Sequence, residues 1–284
     1  MKIGFYTSTF NDRPIEETLD FAVKAGFDAI ELDAGSHIKT PERVANVVEQ
    51  ARNRGLFVSS IALFGGQLDP DAVRQAEFRR LTAEFAMAIG QAKVPLFVLF
   101  GGYDPGLSED GNYESFAAHG QELLAATTES GPDFALENWP GPDNRFIAVT
   151  PLGWQRIFDS IPDKRFGIEF DPSHLLRLGI DPYAALNGVH ERVKMLHAKD
   201  AAIDRDRLQS VGYHGAGWWR YCLPGSGLLD WPRFLRQARQ LGLDGTLSIE
   251  HEDADFGWPG GDLSARETGE SRALTFLRGT LRDL

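Results

Sequence analysis

Short apolar runs rich in β-formers alternate with amphipathic helical stretches along all 284 residues, with no Ser/Pro linker, low-complexity tract or composition break. That alternation constrains the fold most, because a strand, a helix and a second strand in succession read as one parallel βαβ unit. Strands are predicted at Lys2–Thr7, Ala29–Leu32, Phe57–Ala62, Leu96–Phe100, Phe134–Glu137, Phe166–Asp171, Val193–His197 and Thr246–Glu250. Helices are predicted at Ile15–Ala25, Pro41–Arg54, Ala72–Gln91, Tyr113–Ser130, Pro151–Ser160, Pro182–Val189, Trp231–Leu241 and Ala265–Leu281. Gly26, Gly55 and Gly242 close helices, and Thr40-Pro41, Thr150-Pro151 and Asp181-Pro182 open them, which is ordinary capping. Units of ~35 residues have βαβ size and predict a single (β/α)8 barrel over residues 1–284. An open dinucleotide-binding sheet would need Gly-x-Gly-x-x-Gly after the first strand, where Thr7-Ser8-Thr9-Phe10-Asn11-Asp12 stands instead.

Composition narrows the function. A hydrophobic fraction of 42% supports a large core without staples. The single cysteine, Cys222, excludes an internal disulfide framework and a cysteine-based zinc cluster and fits a reducing compartment. No apolar run reaches the ~20 residues of a membrane span, and the start of the chain has no signal-like apolar region, so a soluble cytoplasmic protein is expected. A net charge of −12 repels phosphodiester backbones and anionic lipid, so neither nucleic acid nor membrane is an expected partner. Whether the chain forms a homo-oligomer stays open.

In a barrel of this kind chemistry sits at the carboxyl ends of the strands. Four successive predicted strands end Leu136-Glu137, Phe170-Asp171, Leu196-His197 and Ile249-Glu250. With period-two alternation the apolar member of each pair faces the helices, and Glu137, Asp171, His197 and Glu250 face the axis. Singly, each reads as a solvated loop carboxylate, a helix cap or a strand histidine; Asp171 before Pro172-Ser173 is the clearest cap. Their joint occurrence in one register carries the weight. Three buried carboxylates around one imidazole repel each other or take up protons unless a cation neutralises them, which points to one divalent metal ion. An oxygen-rich set with one nitrogen favours Mn²⁺, with Mg²⁺, Co²⁺ or Zn²⁺ as alternatives; no organic cofactor is indicated.

These strand ends, with Asp171-Pro172-Ser173-His174 and His197-x-Lys199-Asp200, resemble the sugar isomerase/epimerase superfamily of xylose-isomerase-like barrels along essentially the whole chain. That family includes ketose 3-epimerases, inosose isomerases and dehydratases. The resemblance implies a metal held by Glu137, Asp171, His197 and Glu250. It also implies a free keto sugar or cyclitol as substrate, and proton abstraction through a metal-bound enediolate. Glu250 is then the first base, Glu137 its partner from the opposite face, and His174 a contact to substrate oxygens. The family's arginine after strand seven has no match at the expected offset, where Ile203 stands; Arg205 is the nearest replacement, with Arg207 behind it. Lys199 either donates to a substrate oxygen or pairs with Asp200.

Aromatic residues in loops after strands, Phe10, Phe64, Tyr103, Trp139 and Trp258, are candidates to pack on sugar C–H groups or are simply core. His197 and Glu250 are 53 residues apart, against 34 and 26 for the preceding ligand intervals, so an insert at about residues 201–229 follows strand seven. It reads as a lid or a subunit contact, with His214, Trp218 and Arg220 its best functional candidates. Gly260-Gly261 could cradle a phosphate at a helix start, although an unphosphorylated substrate is favoured. The principal alternative is a lyase of the same fold, expelling a β-hydroxyl or a C-linked aglycone. A DNA-repair endonuclease with a multi-zinc cluster fits poorly with seven histidines and a charge of −12, and a non-catalytic sugar-binding barrel is the remaining reading.

Overall fold

The computed structural model describes residues 1–127 and 131–284. Eight parallel strands form one sheet: β1 (Lys2–Phe5), β2 (Ala29–Asp33), β3 (Phe57–Ala62), β4 (Leu96–Phe100), β5 (Asp133–Glu137), β6 (Phe166–Phe170), β7 (Val193–Ala198) and β10 (Thr246–Ile249). Their order is β1-β10-β7-β6-β5-β4-β3-β2. The two outermost strands meet at a parallel bridge between Tyr6 and Glu31, closing the ring. This is the predicted (β/α)8 barrel.

Period-two alternation sorts the strand side chains between two cores. Leu136, Phe170, Leu196 and Ile249 pack outward into the large cluster between sheet and helices. Tyr6, Ala62, Leu96, Val98, Ala135 and Met195 form a small apolar cluster inside the ring. The inner apolar layer therefore lies beneath the polar residues that end the strands, and it is small because the polar groups take the space above it.

Several boundaries differ from the predicted ones for local reasons. The first strand stops at Phe5 because Thr7–Phe10 winds into a 3-10 turn. The helix predicted from Pro41 begins as a 3-10 turn and becomes α-helical at Val44–Asn53. The helix predicted at Tyr113–Ser130 runs Glu109–Ala126, because the Ser108 hydroxyl accepts from the Gly111 amide and starts it earlier; the predicted end at 128–130 lies outside the described residues. A short helix, Pro172–Arg177, starts directly after Asp171 and was not predicted. Among the described residues no helix is long and apolar enough to cross a membrane.

The insert after β7 folds as an antiparallel hairpin, β8 (Asp200–Ile203) with β9 (Trp219–Cys222), and a short helix, Arg205–Val211, lies between its strands. Asp200 secures it to the barrel. Its carboxylate accepts from the amides of Ala201, Gly225, Gly227 and Leu229 and from the Trp231 indole, at 2.9 to 3.2 Å. Burial lifts this carboxyl above its ordinary range in spite of those donors. A Cβ at Gly227 would stand 2.2 Å from the Asp200 carboxylate, so only glycine fits there. Asp200→Ala strands these donors and is expected to cost about 2–4 kcal/mol, read as a lower urea midpoint. An unchanged midpoint would show that the carboxylate does not hold the insert.

Candidate active site

The barrel brings the four strand-end residues together. Glu137 ends β5, Asp171 follows β6, His197 lies in β7 and Glu250 follows β10. One donor atom from each lies within 4.8 Å of the others, and all four side chains are buried. Asp171 serves both of its readings. Its Oδ1 accepts from the Ser173 amide at 2.7 Å and caps the short helix, while Oδ2 is buried without a hydrogen bond. Asn138 exchanges two hydrogen bonds with the Asp171 main chain, at 2.8 and 2.9 Å, tying the end of β5 to the end of β6.

His197 is the centre of the arrangement. Its Nδ1 is 3.1 Å from Glu250 and 3.5 Å from Glu137. Its Nε2 is 3.0 Å from Glu31 and 3.2 Å from Glu169, two wholly buried carboxyls that were not among the candidates. Both sit at register shifts, Ile30/Glu31 in β2 and Ile168/Glu169 in β6, the kind of irregularity that re-aims a side chain beside a site. Glu169 precedes Asp171 by two residues and so shares its face, which is the sequence signal that identifies it. Ser248 donates to Glu31 at 2.7 Å.

Burial, with Glu31 beside it, pushes Glu169 well above the ordinary carboxyl range. Burial opposes a charge on His197, but Glu169, Glu31 and Glu250 outweigh it and hold the imidazole well above its usual value.

Lys199 turns into the cluster and away from Asp200. Its ammonium lies 2.6 Å from Glu250, 2.9 Å from Glu252 and 3.2 Å from Asp171. Burial works against that charge too, yet these carboxylates keep Lys199 protonated far above its normal range. Glu250 is buried as well, but Lys199 and His197 hold it well below the usual carboxylate pKa. His174 places Nε2 at 3.1 Å from Glu137 and Nδ1 at 2.7 Å from the hydroxyl of Tyr221 on β9. Tyr221 also accepts from Arg177 at 3.1 Å.

The donor set suits a divalent ion. Glu137, Asp171, His197 and Glu250 supply three carboxylates and one imidazole, and Asp171 Oδ2 is an orphaned buried oxygen among them. Even with the Lys199 ammonium and a charged His197 imidazole, the four carboxylates of Glu137, Asp171, Glu250 and Glu252 leave the cluster negative, so a cation is favoured there.

An aromatic wall adjoins this centre. Tyr6 stacks on His197 at 6.3 Å, Phe64 packs on Tyr6, Phe100 stacks on Phe64 at 3.7 Å, and Trp139 lies over Phe100 at 4.8 Å. Phe64 and Trp139, two of the candidate rings, thus belong to this wall. Phe10 does not: it is buried against Phe5 and Phe21 in the outer core. Tyr103 is half-buried with the Arg145 guanidinium over its ring, and Trp258 is half-buried in the loop after β10.

From the insert, Arg205 and His214 are exposed, and Trp218 is buried against Tyr213 and Trp219, so none of the three packs on the ligand side chains. Arg220 pairs with Asp253 and Asp255. The insert instead delivers Tyr221, which sequence spacing does not single out because hairpin pairing places it. The Gly260-Gly261 helix start is capped by Asp262, whose carboxylate accepts from the Ala265 amide and puts negative charge where a phosphate would bind.

Fold and site together define a barrel with an acidic, imidazole-bearing centre at the carboxyl ends of its strands. The chain belongs to the xylose isomerase-like TIM barrel family, whose pattern it matches over residues 19–279. It is 23% identical to YfiH, an uncharacterised protein of Bacillus subtilis, over 89% of this chain and 93% of the relative. Its fold is similar to that of D-psicose 3-epimerase from Clostridium cellulolyticum, with a TM-score of 0.75, 17% identity and 99% of both chains covered. It is also similar to a probable 3-DHS dehydratase from Bacillus anthracis, with a TM-score of 0.70, 17% identity, and 97% of this chain and 99% of that one covered.

An ion bound through Nδ1 needs that nitrogen unprotonated, so loading must displace the proton that the carboxylates hold on His197. Because the folded pKa is raised, the competing proton is present at neutral pH and leaves only as pH rises. Zn²⁺ titration in two buffers of different ionisation enthalpy is expected to show release of about one proton per ion and about tenfold weaker binding per pH unit of acidification. Buffer-independent heat would mean that His197 is neutral beforehand or takes no part.

Proposed function

We propose that this chain is a divalent-metal-dependent sugar isomerase or epimerase acting on a free keto sugar or cyclitol, with Mn²⁺ as the favoured ion. The observation that carries the reading is the convergence of Glu137, Asp171, His197 and Glu250 within 4.8 Å, with His174 hydrogen-bonded to Glu137. Those four residues would hold the ion, which polarises a carbonyl and steadies the negative charge that develops when the neighbouring carbon loses its proton. Glu250, kept ionised by Lys199 and His197 despite its burial, accepts that proton. Glu137 delivers a proton in return. In the strand order β10-β7-β6-β5 the two glutamates flank Asp171 and His197, which suits attack from two sides of one carbon. His174 and Lys199 donate to substrate oxygens, and Trp139 and Phe64 offer ring faces to its C–H groups. The D-psicose 3-epimerase similarity fits this assignment.

A second reading is elimination of water from the same starting step. Lys199 favours it, because a buried ammonium 2.6 Å from Glu250 can hydrogen-bond a departing hydroxyl and ease its loss. The similarity to a probable dehydratase is in keeping with it.

Proton NMR in D₂O of a panel of keto sugars and inososes, with protein loaded with Mg²⁺ or Zn²⁺, separates the two. Deuterium entering beside the carbonyl, lost on chelation, is expected, with an epimer or isomer as product; a dehydrated product would select the lyase. Glu250→Gln is expected to slow exchange roughly 10²–10⁴-fold while the fold is retained. Full exchange in that variant would remove Glu250 as the base.

A further inference from the structure

Tyr221 reaches the centre from outside the ring of strands, and its hydrogen bonds have one consistent direction. Its hydroxyl oxygen is 2.7 Å from His174 Nδ1 and 3.1 Å from Arg177 Nη1. Arg177 is itself fixed: Nη2 donates to the Asn144 side chain at 2.7 Å, and the guanidinium lies over the Trp219 ring at 4.1 Å. A guanidinium can only donate. The Tyr221 oxygen therefore accepts from Arg177, and its own hydrogen has one acceptor among the described residues, His174 Nδ1. On the far side of the ring, Nε2 faces the Glu137 carboxylate at 3.1 Å and Asp171 at 3.5 Å, both acceptors. Lys199 also lies 3.4 Å from Nε2, but its ammonium is held more closely by Glu250 and Glu252, at 2.6 and 2.9 Å. The ring proton thus belongs on Nε2.

We infer that Tyr221 is a positioning residue for His174: it donates to Nδ1, fixes the ring with its proton on Nε2, and keeps that N–H aimed at the Glu137 edge of the site. The insert after β7 supplies this tyrosine, and Arg177 orients it. The benefit to substrate binding rests on the isomerase reading, whereas the direction of the hydrogen bond does not.

Two-bond ¹H–¹⁵N correlation spectra of the full-length protein labelled at histidine read the tautomer directly, with the His174 ring assigned through His174→Gln. The wild-type ring is expected to carry its proton on Nε2 and a bare Nδ1. In Tyr221→Phe the unique tautomer is expected to be lost, and, where a panel sugar exchanges, deuterium uptake to fall by about tenfold. A wild-type ring protonated on Nδ1, or an unchanged ring spectrum in Tyr221→Phe, would overturn the inference. If the variant does not fold, the wild-type spectrum alone decides. The expected spectra together with no exchange of any panel sugar would support the hydrogen-bond assignment and count against the isomerase reading only.

Discussion

The imidazole of His197 stands between two groups of buried carboxyls, and the site around it depends on that placement. Glu137, Asp171 and Glu250 face one nitrogen side, Glu31 and Glu169 the other. Buried like charges repel strongly where water cannot screen them, so the arrangement stands only if charge is compensated within it. Lys199 compensates one side, and burial beside Glu31 biases Glu169 towards its neutral form on the other. A cation among the strand-end oxygens would complete the balance. The parallel sheet makes such crowding tolerable, because its hydrogen-bonded strands fix where each carboxyl stands.

The walls of the site divide by chemistry. One is a run of rings from Tyr6 through Phe64 and Phe100 to Trp139, contributed by the ends of strands one, three, four and five. The other is polar, with His174, Tyr221, Arg177 and Lys199 contributed by β6, β7 and the segments after them. The sugar or cyclitol proposed as substrate, with an apolar edge and a hydroxylated edge, would meet both walls at once.

The four strand-end residues were legible in the sequence because a strand alternates with period two, and Leu136, Phe170, Leu196 and Ile249 mark the outward phase. Glu169 obeys the same phase one layer deeper, and Glu31 occupies the corresponding face of β2; reading only the ends of strands five to eight passes over both. Tyr221 and Arg177 were harder to find. Tyr221 arrives through pairing of Asp200 with Cys222 across a hairpin, and Arg177 through a six-residue helix that Asp171 itself caps. The expected offset from His197 lands on Ile203, and its nearest replacement, Arg205, lies on an exposed helix, whereas the guanidinium beside the site, Arg177, follows β6. Phe10 takes the core alternative because the 3-10 turn at Thr7–Phe10 swings its ring outward.

The closure of the ring has a further consequence. Strands β1 and β10 pair near opposite ends of the sequence, Tyr6 bridges to Glu31, and the Thr9 hydroxyl donates to Glu270 on the last helix. The partner of His197 on β2 and the ring stacked on it from Tyr6 thus belong to the seam where the chain joins itself. Contacts of such sequence separation form only after much chain entropy has been lost, which makes them late in folding. A partly folded chain with strands five to seven paired but the seam open would leave His197 without Glu31, Glu250 and the Tyr6 ring. Completion of the centre is therefore coupled to completion of the barrel.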